Sequence, residues 1–251
     1  MLKITKKYTP NSGTIVFMSS EKVISAVPNH LGFIVDGNRR WAKLNGKSVA
    51  EGHRQGYETL KKTSLSALEH GVKYLTAYVF STENWQRDPK EIDDIMKILG
   101  WVLKNEVKVF HKKNVRIRVA GSRNKLALSL IVAIDAAEEL TKNNIAGTLL
   151  LCLDYGGEQE IVEAVKSIVK SGVSANEVTT EMISNHIYSP DVPPLDLIIR
   201  TSGEKRLSNF MTWRSVYSEL MFIDKLWPDF SEQDLVAAFD NYASRHRRFG
   251  K

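Results

Sequence analysis

Three short clusters carry the side chains in this sequence that could do chemistry together. The first is Asp36-Gly37-Asn38-Arg39-Arg40. A Gly-Asn turn that opens a helix aims backbone N–H groups at an anion, helped by the helix dipole, and two arginines add charge. A phosphate or diphosphate suits such a place, and Asp36 could hold a Mg²⁺ that bridges to it. An Asp-Gly turn with solvated arginines reads equally well. The second cluster offers Ser81 and Asn84 as hydrogen-bonding groups, Trp85 as a flat apolar wall and Arg87 as a cation. A strand-to-helix turn capped by a hydroxyl is its plainer reading. The third holds Arg200, Arg206 and Ser208. Bidentate arginine forks match phosphate oxygens, and the alternative is surface ion pairing with Glu204. Glu219, between Tyr217-Ser218 and Leu220, needs a partner. A metal shared with Asp36 or a salt bridge would each supply one.

The elements around these clusters follow from hydrophobic spacing. Residues 32–35 read as a buried strand running into the first cluster, and Lys73–Phe80 as a β-branched and aromatic strand running into the second. Further strands are expected at Val115–Val119, Thr148–Leu153, Leu195–Ile199 and Tyr217–Ile223. Helices are expected over 52–71, 88–112, 124–142, 159–171, 176–185 and 231–247. In the helix at 88–112, Ile98, Trp101 and Val109 fall off the main apolar stripe, so that helix should pack against two things. Alternation of strand and helix predicts an α/β single domain with a six-stranded, mostly parallel sheet flanked by helices. Ligands of such sheets bind beyond the carboxyl ends of the strands, where all three clusters should converge. Residues 1–25 are polar and basic and read as a loosely docked, flexible N-terminal extension to a catalytic domain at 26–251.

Composition narrows the field. The lone cysteine, Cys152, forms no internal disulfide, which points to a reducing, cytoplasmic setting. No apolar run is long enough to span a bilayer. The net charge of +6 suits an anionic partner, but the arginines sit beside Gly, Asn and Ser rather than along a nucleic-acid stripe. P-loop, GxGxxG, HExxH and CxxC motifs are all missing. His53 lies close enough in sequence to the first cluster to reach the same rim, and a structural role suits it as well.

The clusters, in this order, resemble the cis-prenyltransferases, among them the undecaprenyl diphosphate synthases. The matching stretches are His30–Lys43 (HLGFIVDGNRRWAK), Phe80–Arg87 (FSTENWQR), Asp196–Phe210 (DLIIRTSGEKRLSNF), Tyr217–Leu220, Trp227–Phe230 and Arg247–Gly250. The resemblance implies condensation of isopentenyl diphosphate with an allylic diphosphate to form Z double bonds, by a homodimer whose hydrophobic tunnel holds the growing chain. It implies that Gly37, Asn38, Arg39 and Arg40 cradle the allylic diphosphate, with Trp41 and His53 nearby. Asp36 and Glu219 would hold Mg²⁺, and Asp36 would also help the diphosphate leave. Arg200, Arg206 and Ser208 would bind isopentenyl diphosphate. Phe80, Ser81, Thr82, Glu83, Trp85 and Arg87 would line the substrate region, and Asn84 would orient the group that removes the proton. Arg248 and Gly250 would reach a partner's site. Long products are lipids, so the resemblance also implies transient membrane contact.

The chain departs from the family pattern at four places. An arginine common in the family is Val49 here, a Gly-Asp is Gly121-Ser122, and Asn-Tyr-Gly-Gly-Arg is Asp154-Tyr-Gly-Gly-Glu158. Val79, before the Phe-Ser turn, replaces the alanine of many long-chain synthases and hints at shorter products. These departures keep irregular coupling of two allylic units open as an alternative. A non-catalytic subunit is the other alternative, though such subunits typically lose the Asp-Gly-Asn-Arg-Arg motif.

Overall fold

The computed structural model describes residues 5–7, 16–18 and 27–245. Thr5–Lys7 and Val16–Met18 form a separate antiparallel pair within the N-terminal extension. The main sheet has strands β1 (His30–Ile34), β2 (Tyr74–Ser81), β3 (Val115–Ala120), β4 (Gly147–Tyr155), β5 (Leu197–Arg200) and β6 (Glu219–Phe222), in the order β3-β4-β2-β1-β5-β6. All five pairings are parallel. β1, β4 and β5 are buried along their whole length, as expected of parallel strands covered on both faces.

The helices are α1 (Asn38–Leu44), α2 (Val49–Glu69), α3 (Pro89–Trp101), α4 (Val107–Lys112), α5 (Leu128–Thr141), α6 (Gly157–Lys170), α7 (Thr180–His186) and α8 (Glu232–Ala243). One face of the sheet packs Leu31, Phe33, Leu75 and Leu149 with Leu60 of α2, Ile95 of α3, Ile134 of α5 and Phe239 of α8. The other face packs Ile34, Tyr78, Cys152 and Ile198 against Tyr155, Phe210 and Met211.

The expected single helix at 88–112 is interrupted by a π turn at Val102–Glu106, between α3 and α4. Asn105 Nδ2 donates to the carbonyl of Trp101 (2.9 Å), and a side-chain bond to the i−4 carbonyl competes with the helical ladder. Ile98 faces a cavity under the helix, whereas Trp101 and Val109 stay partly exposed. Among the described residues, no helix is long and apolar enough to cross a membrane.

β2 and β5 lie on opposite sides of β1, so the order of the sheet reverses there. That is where a crevice opens in sheets of this kind. Asp36 follows β1, and Arg200 ends β5 beside it.

Candidate active site

Gly37 turns the chain out of β1 with φ 118°, a conformation hard for any residue with a Cβ, and starts α1. α1 then lies very close on α2. A Cβ on Gly52 would sit 2.4 Å from the Asn38 carbonyl oxygen, and one on Gly56 would sit 2.2 Å from Asn38 Oδ1. Only glycine at both positions allows this approach, which aims Asn38 at the rim.

Arg200 is buried and holds the centre of the rim. Its Nη2 meets Asp36 Oδ2 at 2.9 Å, and its Nη1 donates to Ser208 Oγ (2.7 Å) and to the Arg206 carbonyl (2.6 Å). Arg40 meets Asp36 Oδ1 at 3.4 Å and bonds the backbone carbonyl and hydroxyl of Ser202. Thr201 Oγ1 donates to the Asp36 carbonyl at 2.6 Å. The loop after β5 holds Ser202, Ser208, Asn209 and Met211 at positive φ. Such backbone strain in residues other than glycine tends to collect at ligand sites.

On the other side of the rim, Ser81 and Asn84 cap one another: the Ser81 N–H donates to Asn84 Oδ1 (3.1 Å), and the Ser81 side chain accepts from the Asn84 backbone. Glu91 of α3 is a buried carboxylate facing three basic groups. His53 Nε2 stands 3.2 Å away, Arg87 Nη1 3.0 Å and Arg39 Nε 3.6 Å. Burial holds His53 below the usual imidazole range, against the pull of Glu91, so its ring is neutral at pH 7.

These groups line a cleft of about 1130 Å³. Seven cationic side chains reach it, namely Arg39, Arg40, Lys43, Lys47, Arg87, Arg200 and Arg206, against the carboxylates of Asp36 and Glu83. That excess suits a polyanion of several charges. Behind the cleft is a second cavity of about 90 Å³, almost wholly apolar, between α2, α3 and the sheet. Val35, Asn38, His53 and Val79 line both spaces, so the two adjoin.

The rim brings together most of the expected site: Asp36, Gly37, Asn38, Arg39, Arg40, His53, Ser81, Glu83, Asn84, Arg87, Arg200, Arg206 and Ser208 all line the cleft. Four others stand apart from it. Trp41 donates to Asp229 on the outer side of α1 (2.7 Å). Phe80 is core, with Trp85 edge-on to it at 5.0 Å, and Trp85 Nε1 donates to Asp154 (2.6 Å). Thr82 faces Gly156. These four support the rim from behind.

Glu219 stands apart from Asp36 within one chain. It registers with Leu197, at the start of β5, whereas Asp36 lies past the far end of β1. Leu31 of β1 shares the level of Glu219, and Asp36 is five residues further on, roughly 16 Å of extended chain. Glu219 is ion-paired to Arg245 at 2.7 Å, which is the salt-bridge reading, and one chain does not bring it to Asp36. Arg206 likewise meets Glu204 (2.5 Å) while still lining the cleft. Arg248 and Gly250 lie outside the described residues.

Four contributors escaped the sequence reading: Lys43, Lys47, Asn209 and Glu91. Lys43 and Lys47 repeat Arg39 at four-residue steps, which is a readable signal. Asn209 and Glu91 carried none, because their roles depend on how loops and helices meet.

As for a metal, the donor set fits Mg²⁺ only with substrate present. Among the described residues no three His, Cys, Asp or Glu side chains gather around one point. Mg²⁺ commonly takes one or two carboxylates plus substrate phosphates, and Asp36 supplies one carboxylate at the mouth of a cationic cleft.

Known proteins share this arrangement. Residues 34–250 match the prenyltransferase family model described as "Putative undecaprenyl diphosphate synthase". The chain is 44% identical over 226 residues to an isoprenyl transferase of Thermotoga maritima, covering 89% of this chain and 97% of that one. It is 43% identical over 228 residues to a decaprenyl diphosphate synthase of Mycobacterium tuberculosis, covering 89% and 77%. The crystal structure of lavandulyl diphosphate synthase from Lavandula x intermedia, in complex with dimethylallyl diphosphate, superimposes with a TM-score of 0.86 at 34% identity. That match covers 92% of this chain and all of the other.

Proposed function

The chain belongs to the cis-prenyltransferase family, and from that premise we propose how its rim and cavity divide the work of prenyl transfer. It is an enzyme that condenses isopentenyl diphosphate with an allylic diphosphate. The observation that carries our reading is that the cationic cleft and the apolar cavity adjoin across Val35, Asn38, His53 and Val79. An amphiphile with a diphosphate head and a hydrocarbon tail matches that pair of spaces.

In this reading the allylic diphosphate lies against Gly37, Asn38, Arg39 and Arg40, with its tail in the cavity. Isopentenyl diphosphate lies against Arg200, Arg206 and Ser208. Asp36 would hold Mg²⁺, which would supply Lewis-acid stabilisation of the leaving diphosphate. Arg39 and Arg40 stabilise the same developing charge from fixed positions. Holding two substrates on neighbouring loops of one rim turns their encounter into a proximity effect, with up to about 7–11 kcal/mol available from such positioning. The amide of Asn84, fixed by Ser81, is a poor base and instead orients the acceptor of the proton released when the new double bond forms. A homodimer in the cytoplasm completes the reading, with Arg248, Gly250 and Glu219 available to a partner's site. Membrane contact would matter only for long products.

The test is a product ladder. Purified protein with Mg²⁺, isopentenyl diphosphate and C5, C10, C15 or C20 allylic diphosphates should yield Mg²⁺-dependent products by mass spectrometry, and Asp36→Ala should abolish them. A ladder that survives Asp36→Ala would refute the role of Asp36. The likeness to a synthase solved with dimethylallyl diphosphate, an allylic diphosphate, keeps a second reading in play, irregular coupling of two allylic units. Product from a C5 allylic diphosphate alone, without isopentenyl diphosphate, would select it.

A further inference from the structure

Resting on the reading above that the loop after β5 takes isopentenyl diphosphate, we propose that Asn209 is a positioning residue. It ties the loop carrying Arg206 and Ser208 to the turn carrying Asn84, and so holds the second diphosphate and the proton-removing group in one frame.

The sheet alone does not hold these two segments together. One follows β2 and the other follows β5, and β1 lies between those strands. Asn209 spans the gap. Its Nδ2 donates to Glu83 Oε1 at 3.0 Å, and Glu83 is the residue before Asn84. Its Oδ1 accepts from the Glu158 N–H at 2.9 Å, and its carbonyl accepts from the Gly157 N–H at 2.8 Å. Gly157 and Glu158 open α6, which follows β4. One residue therefore joins the segments after β2, β4 and β5.

The local structure favours that contact. A Cβ on Gly156 would lie 2.8 Å from Asn209 Nδ2 and 2.7 Å from Thr82 Oγ1, so the three segments close over a bare backbone. Asn209 has φ 65°, in the left-handed region that Asn and Asp tolerate better than other residues with a Cβ. Burial pushes the Glu83 carboxyl up, but the bond from Asn209, with those from its own backbone and from Ser81 and Thr82, holds it below the ordinary range. Glu83 is therefore ionised at pH 7 and only accepts, while the Glu158 N–H only donates, so the Asn209 amide has one sense.

The neighbours of the tie show what it holds. Arg200 bonds Ser208 Oγ and the Arg206 carbonyl, which anchors their loop to β5. The Ser81 N–H fixes the Asn84 side chain at the end of β2. Ser208, Asn209, Glu83 and Asn84 all line the cleft, and together they run from one of its sides to the other. Gly37, Asn38, Arg39 and Arg40 follow β1 and stand outside this series of contacts. Loss of the tie should therefore reach one substrate and spare the other.

The test exchanges the two ends of the bond in the whole chain. Asn209→Asp keeps the left-handed backbone and the acceptor for the Glu158 N–H, but sets a carboxylate against Glu83. Asn209→Asp/Glu83→Gln restores the bond with donor and acceptor reversed. Both are compared with wild type and with Glu83→Gln after each shows a cooperative thermal transition. Glu83→Ala, which breaks the bond from the other end, stands in if Asn209→Asp does not fold. Asn209→Asp should raise KM for isopentenyl diphosphate about fivefold or more and lower kcat, with KM for the allylic diphosphate unchanged. The double variant should return to within about twofold of Glu83→Gln alone. Titrations with isopentenyl diphosphate, followed by tryptophan fluorescence, should give the same order of affinities. A merely structural role would lower Tm and move both KM values, with no rescue. An unchanged KM for isopentenyl diphosphate in Asn209→Asp or its stand-in, or a double variant no better than Asn209→Asp, would overturn the assignment. A wild type that makes no product but shows the loss and rescue in the titrations would uphold the tie and count against the reading of the reaction.

Discussion

Replacing Gly56 with alanine should damage substrate binding while leaving the fold nearly intact, whereas replacing Gly52 should cost stability as well. The new Cβ at 56 would lie 2.2 Å from Asn38 Oδ1, 2.8 Å from its Cγ and 2.9 Å from its Nδ2. Every clash is with the end of a side chain, which can rotate away. An off-rotamer side chain costs about 0.5–1.5 kcal/mol. Gly to Ala in a helix gains about 0.8–1 kcal/mol. The two nearly cancel, so Tm should stay within about 2 °C of wild type. Asn38 would leave the diphosphate, however. A hydrogen bond to a charged group contributes about 1.5–3 kcal/mol. At 1.4 kcal/mol per factor of ten, KM for the allylic diphosphate should rise roughly 10- to 150-fold. At 52 the clash is 2.4 Å from the Asn38 carbonyl oxygen and 2.9 Å from Ala42 Cβ, both part of the body of α1. Overpacking of that kind costs about 1–3 kcal/mol. Less the same helix gain, it should lower Tm by up to about 8 °C. Differential scanning calorimetry and steady-state kinetics on both variants give the answer. A Gly56→Ala enzyme with wild-type KM would remove Asn38 from the head-group contact, and equal Tm losses would refute the distinction between the two clashes.

Two further outcomes concern stability. His30 is buried, with Nδ1 2.7 Å from the Pro193 carbonyl and Nε2 2.7 Å from Thr76 Oγ1, and burial lowers its pKa from 6.5 to about 4. The unfolded chain takes up this proton near pH 6.5 and the folded chain only near pH 4. The folded state is therefore penalised as pH falls through that window, by about 3 kcal/mol at its lower end. Urea unfolding from pH 7 to pH 4 should show this loss, and His30→Gln should flatten that part of the profile. Arg214 meets the fully buried Glu160 at 3.1 Å and also bonds the carbonyls of Tyr188 and Ser189. Arg214→Met should lose about 3–5 kcal/mol in urea unfolding, because it leaves a buried carboxylate without its cation. A loss below 1 kcal/mol would mean that Tyr155, which donates to Glu160 at 2.6 Å, suffices alone.

All six main strands, their alternation with helices and the convergence of three polar clusters were legible from spacing alone. Each signal is local: a β-branched run, a turn residue, a helical period. What escaped depended on how elements meet. The period of α2 marks His53, Gly56, Tyr57, Leu60 and Lys61 as one face without saying that the π turn brings Glu106 against it. The turn itself hides in an unbroken helical pattern, marked only by a side-chain bond from Asn105 to the Trp101 carbonyl. Glu219 was placed by type in a site it does not reach within one chain, because β6 is short and its acid sits at the wrong end. Glu91 carries no signal in the sequence, because His53, Arg87 and Arg39 meet it only through the packing of α1, α2 and α3.

The carboxylates of the rim also explain how so many cations can share it before substrate arrives. Seven positive side chains facing one cleft repel one another, and each needs an anion nearby in the free enzyme. Asp36 stands between Arg40 and Arg200, Glu204 meets Arg40 and Arg206, and Glu91 meets Arg39 and Arg87. Binding a diphosphate is therefore an exchange of partners rather than the capture of an anion by bare charges. The exchange is unequal. Arg200 is about 5% exposed and tied to Ser208 and the Arg206 carbonyl, so its position does not depend on Asp36 alone. Arg206 is about 59% exposed, and its ion pair to Glu204 is weakly held in water. In the reading proposed above, the buried arginine would set where a head group sits, and the exposed one would close on it and release it.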